Sequence, residues 1–186
     1  VAEAKFSMRV TAFVVSVPAA IFVAFGREFY MLWLPFKSAD EINLIYNLSM
    51  ITLVPIIFIS YVFSLFNLDG ATNKLKRPAI ANTILGAGTI LAQIAVLKFT
   101  PYGIYGMTAV GAALYSVRIL GFDLINAALN LSLPLTTFYG VYFKNLAVFA
   151  AVCGLFFWLR NFVQISSWGE FAAYSAVLLA VGYATS

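Results

Sequence analysis

Two ionisable residues stand inside a long apolar run, Arg118 and Asp123 in the stretch Ile104 to Leu129. A charge surrounded by lipid is costly and is kept where it meets an ion, a substrate or a partner charge. Arg118 lies roughly 21 Å into that run at about 1.5 Å per residue. Its planar guanidinium suits a phosphate or carboxylate in a polar cavity. The alternative is that it snorkels to headgroups and anchors its helix. Asp123 is a candidate proton- or sodium-coupling carboxylate, or an interfacial residue. On a regular helix the two point about 140° apart, which predicts no pairing between them. Asn82 and Gln93, in the preceding apolar run, join Arg118 as candidate substrate contacts, since sugars need amide and hydroxyl partners. Interhelical hydrogen bonding accounts for these amides equally well.

Outside the apolar runs, the cluster Lys74, Lys76 and Arg77 is either a basic mouth for an anionic lipid-linked substrate or a topology determinant. Pro18 and Pro55 interrupt two apolar runs. Each removes a backbone hydrogen bond, giving a hinge or a fixed bend. Gly86, Gly88, Gly103, Gly106, Gly111 and Gly121, with the pairs Ala109/Ala113 and Ala112/Ser116, predict close packing of the helices that carry them. The sequence has no histidine and one cysteine, Cys153. That removes Ser-His hydrolysis, histidine metal sites and thiolate clusters. No phosphate-binding loop with its lysine is present. No enzyme activity, cofactor or metal is expected.

These residues need helices to carry them. Of 186 residues 63% are hydrophobic and 10% charged, against about 45–50% and about 25% in soluble domains. Apolar runs of about twenty residues without alternation imply transmembrane helices, not a barrel. The fold class is therefore all-α, a polytopic transmembrane bundle. Six spans are predicted, at 6–25, 44–66, 79–97, 104–129, 141–159 and 171–185. Gly26-Arg27-Glu28 reads as the end of the first. Ser38 with Glu41 reads as a capping box, and Ser166 to Glu170 as the start of the sixth span. Trp33, Trp158, Trp168, Tyr30, Tyr102 and Tyr105 fall near span ends, at headgroup level. Lys5, Arg9, Lys74, Lys76, Arg77 and Lys144 lie on the side of the N-terminus; Arg27, Lys37, Lys98 and Arg160 lie opposite. The positive-inside rule places the first side in the cytoplasm. The net charge of +4 thus points to anionic headgroups, with no nucleic acid as partner. With no initiator Met before Val1, the chain is expected to be the C-terminal part of a longer protein.

Three segments carry a resemblance. Phe25-Gly26-Arg27-Glu28-Phe29-Tyr30-Met31-Leu32-Trp33-Leu34, Asn73-Lys74-Leu75-Lys76-Arg77-Pro78 and Tyr102-Gly103-Ile104-Tyr105-Gly106-Met107-Thr108-Ala109 occur in the order and spacing of polysaccharide-lipid flippases. Asn82 sits where an asparagine is common there. Pro35 departs, since a glycine usually follows the leucine-tryptophan-leucine. The chain resembles these members of the multidrug/oligosaccharidyl-lipid/polysaccharide exporter superfamily. The resemblance implies part of a two-lobe transporter, with 1–129 as four helices of the second lobe and 130–186 as two additional C-terminal helices. It implies a bacterial inner-membrane protein that flips undecaprenyl-diphosphate-linked oligosaccharide, an O-antigen, capsule or exopolysaccharide unit. Its partners would be the lipid-linked oligosaccharide, membrane lipids and glycan-assembly proteins such as a polysaccharide polymerase. Two alternatives stand beside this reading: a multidrug or small-solute exporter of the same superfamily, and a non-transporting membrane subunit of a glycan-assembly complex.

Overall fold

The structure is a computed structural model that describes residues 1–185. Six helices account for it: α1 (Ala2–Trp33), α2 (Ala39–Ala71), α3 (Lys76–Phe99), α4 (Gly103–Asn130), α5 (Tyr139–Arg160) and α6 (Trp168–Thr185). There is no strand among the described residues. The first five helices are long and apolar enough to cross a membrane, so the chain is an all-α, multi-pass membrane protein. The sixth is not among them. Its first turn, Trp168-Gly169-Glu170, is interfacial in character and shortens the apolar stretch.

Helix ends follow local chemistry. At the start of α2 the Glu41 amide binds the Ser38 hydroxyl at 3.3 Å, and the Ser38 amide binds the Glu41 carboxylate at 3.0 Å. That is the predicted capping box. Before α6 the Ser166 amide donates to Glu170 at 2.7 Å and the Glu170 amide donates to the Ser167 hydroxyl at 3.3 Å. The Ser166 amide, with the Ser166 and Ser167 hydroxyls, holds the Glu170 carboxyl below its ordinary range. α2 and α4 both end in a Schellman turn. In α2, Asn73 takes φ 53°, its amide meets the Gly70 carbonyl, and the Lys74 amide meets the Asp69 carbonyl. In α4, Ser132 takes φ 54°, its amide meets Leu129, and the Leu133 amide meets Ala128.

One expected boundary is corrected. α1 does not stop at Gly26 but runs seven residues further, to Trp33. A side chain at Gly26 would stand 3.2 Å from the Tyr46 ring, so this glycine serves a close approach and not a helix end. The Arg27 guanidinium donates to Asn43 at 2.8 Å, and Glu28 pairs with Arg160 at 2.5 Å. These partners hold the polar residues that read as the end of the span, while the second Glu28 carboxylate oxygen stays buried without a hydrogen-bond partner.

The chain divides into two compact units that interleave in sequence, one of 1–11 and 51–143, the other of 12–50 and 144–186. The second unit has an apolar core of Val17, Ala20, Ile21, Ala24, Phe25, Val152, Phe156 and Leu178. Gly182 of α6 lies against it, and a Cβ there would meet Val17 at 2.5 Å. In the first unit α3 packs on α4 and has no buried residue. Gly106 and Gly111 make that approach possible, since a Cβ would lie 2.7 Å from Val96 and from the Gln93 amide, respectively. The predicted close packing holds at these two positions, while Gly86 and Gly88 face open space.

Candidate polar site between α2 and α4

The C-terminal half of α4 turns a polar face inward. Asp123, Asn126 and Asn130 fall at intervals of three and four residues, which is one helix face, and all three are buried. Asp69, near the end of α2, is buried with them at 6% exposure. Its Oδ1 accepts from Asn126 Nδ2 at 2.9 Å and from Asn130 Nδ2 at 2.5 Å. Lys74 closes a circuit around this pair. Its amide caps the Asp69 carbonyl, as above, and its ammonium donates to the Asn130 carbonyl at 3.0 Å. A cation on the last carbonyls of a helix also suits the helix dipole.

Upstream, Arg118 Nη2 lies 3.4 Å from Asp123 Oδ1, with the side chains 11% and 4% exposed. This pairing overturns the expectation that residues five apart on a helix diverge. The cause is a π-helical turn over Ile119–Asp123, in which the Leu124 amide reaches the Ile119 carbonyl. The extra residue in the turn gives positions i and i+5 the relation that i and i+4 have on an α-helix. It also strips the Leu120 carbonyl of its helical partner, and the Tyr139 hydroxyl donates to that oxygen instead. The Arg118 guanidinium carbon stands 5.4 Å from the Tyr115 ring centroid. Asp123 Oδ2, Arg118 Nε, Asn130 Oδ1 and the Tyr142 hydroxyl are buried without a hydrogen-bond partner.

The other expected site residues are dispersed. Gln93 faces α4, and its amide donates to the Met107 carbonyl at 3.3 Å. With Thr52, Pro55, Met107, Thr108, Gly111, Ala112 and Tyr115 it lines a groove of about 390 Å³. Asn82 is exposed on α3. Arg118 instead reaches a second groove, beside Ile84, Leu85, Val117 and Phe122. Lys76 and Arg77 are exposed in the first turn of α3 and are separated in role from Lys74. Pro18 is exposed inside α1 and Pro55 is buried inside α2. Pro18 cannot donate to the Val14 carbonyl, and the Tyr183 hydroxyl donates to it at 2.9 Å.

Sequence reasoning missed Asp69, which sits in a polar stretch that reads as loop. It also passed over Asn130, whose triplet with Ser132 looks like a chance glycosylation match. The usable signal was the pair Asn126 and Asn130, two amides four residues apart at the end of an apolar helix, which want an acceptor on a neighbour.

The site is thus an acid and two amides bonded across two helices, an ion pair above them, and unpaired acceptors and donors beside both. It holds no metal-binding group of three or more His, Cys, Asp or Glu among the described residues. A scan of protein-family models and searches of curated proteins and of solved structures find no match to this chain.

Proposed function

We propose that the chain is part of a membrane transporter that flips undecaprenyl-diphosphate-linked oligosaccharide across a bacterial inner membrane, its N-terminal end in the cytoplasm. The observation that carries a transport role is the buried set Asp69, Asp123, Asn126 and Asn130, with the half-buried Arg118 paired to it, inside helices that are otherwise apolar. Charge at such depth is retained where an ion or polar substrate passes. The substrate class rests on the resemblance of the segments 25–34, 73–78 and 102–109 to the flippase pattern. Their geometry supports its use. Segment 73–78 takes in the end of the turn between α2 and α3, with Asn73 at φ 53°, and the first residues of α3, and Gly103, at φ 52°, is the first residue of α4. The transport step requires no covalent chemistry, only exposure of a polar path first to one side and then to the other.

The test is deletion of the intact gene in its host, followed by extraction of lipid-linked oligosaccharides. Complete repeat units held on the cytoplasmic leaflet, with surface glycan lost and restored by the wild-type gene, are expected. An unchanged lipid pool would overturn the reading.

A second reading is favoured by one specific observation. Asp69 and Asp123 are two buried acids, Asp69 bonded to Asn126 on the helix face that carries Asp123, and buried acids suit export of cationic solutes. Raised sensitivity of the deletion strain to cationic drugs, with lipid-linked oligosaccharide normal, would select this exporter.

A further inference from the structure

We propose that the π turn of α4 is a two-state joint, latched by the Arg118–Asp123 pair, about which the α3–α4 hairpin swings. Three observations in the first unit lead there. The C-terminal half of α4 is fixed, because Asn126 and Asn130 are bonded to Asp69 and Lys74 holds the Asn130 carbonyl. The N-terminal half, Gly103–Arg118, has no buried residue and packs on α3, which has none either. The π turn lies between the half bonded to Asp69 and the half with no buried residue.

The latch is geometric. Arg118 and Asp123 meet only while the turn holds its extra residue; in α register they stand about 140° apart. The Tyr139 hydroxyl likewise finds the Leu120 carbonyl free only while the Leu124 amide is bonded to Ile119. Losing the charge on Asp123 removes the pair. The turn then relaxes to α geometry, and the Leu124 amide returns to Leu120. Resolving one extra residue rotates the upstream half by about 100° and lengthens the helix by about 1.5 Å. Because α3 is attached by the short turn at 100–102 and is buried nowhere, it is carried along.

The inference does not rest on the flippase reading, since its test involves no substrate. Spin labels are placed at exposed Leu91 on α3 and exposed Leu129 on the fixed half of α4. Both positions are changed to cysteine in the full chain carrying Cys153→Ala, which is then reconstituted in phospholipid vesicles. Pulsed dipolar spectroscopy reads the distance. Asp123→Asn is expected to move the distribution by about 5 Å or more, given a helix diameter of about 10–12 Å. Deletion of Gly121 supplies the control. It leaves a plain α-helix with both halves oriented as now and the Arg118–Asp123 pair at i and i+4. It should give the wild-type distance, and Asp123→Asn added to it should shift nothing. An unmoved distribution in Asp123→Asn would overturn the proposal. So would an equal shift with and without Gly121, because loosening of the fold would then explain it.

Discussion

Each of the two units contains a helix whose hydrogen-bond ladder is broken, and in each a tyrosine from another helix repairs the exposed carbonyl. In one unit Pro18 strands the Val14 carbonyl and Tyr183 supplies the donor. In the other the π turn strands the Leu120 carbonyl and Tyr139 supplies it. The surroundings differ. The Pro18 break lies beside an apolar core, where Phe13 and Tyr183 rings stand 4.9 Å apart. The π turn lies beside an ion pair and three buried polar residues. A proline has no amide in any register, so its break is permanent and its repair is structural. A π turn can give its extra residue back, so its repair is conditional. The difference teaches that the same defect is a fixture in one setting and a joint in another.

The largest expected effect tests what anchors the conditional break. Asp69→Leu leaves the Asn126 and Asn130 amides without their acceptor. It should cost about 2–4 kcal/mol in a detergent unfolding titration, since each buried unsatisfied donor costs about 1–3 kcal/mol and partners within a membrane soften that. A loss below about 0.5 kcal/mol would mean the polar contact holds nothing. Next, Gly182→Ala crowds Val17 and Phe156 in the apolar unit and should cost about 1–3 kcal/mol. Gly86→Ala, with nothing within 4 Å, should stabilise by about 0.5–1 kcal/mol through helix propensity.

A double-mutant cycle sharpens the comparison itself. Tyr183→Phe should cost about 1 kcal/mol, and nothing in a Pro18→Ala background, where residue 18 regains its amide. An undiminished cost would show that the hydroxyl does something other than replace the amide that Pro18 lacks. The smallest effect lies at the start of α6. The Glu170 carboxyl is held below its ordinary range by Ser166 and Ser167. Its contribution is therefore complete above the ordinary carboxylate value and fades as pH falls through the lowered one. The gap in thermal midpoint between wild type and Glu170→Gln should close on acidification from pH 7; a gap that widens would contradict the cap.

Much of the fold was legible because lipid imposes a simple rule, that every backbone group pairs within its own helix. Length and apolarity located the spans, and Ser38 with Glu41 announced a helix start through side-chain chemistry alone. The site was less legible. Arg118 and Asp123 stand out as charges inside an apolar run, yet their pairing depends on a turn that departs from the α period, and a rule built on that period predicts the opposite. Gly26 misled because glycine marks both helix ends and close contacts, and only the Tyr46 ring tells them apart. Asp69 was hidden by its neighbours, since a polar stretch of sequence does not say which member turns inward.

The Tyr183 bond to Val14 ties residue 18 to residue 183, and this has a consequence in evolutionary terms. A lineage that loses Pro18 frees position 183 to drift, because the restored amide makes the hydroxyl redundant. A lineage that loses Tyr183 first passes through a state with a bare carbonyl in an apolar helix. The two substitutions are thus epistatic, with one order of change open and the other disfavoured, across nearly the whole length of the chain.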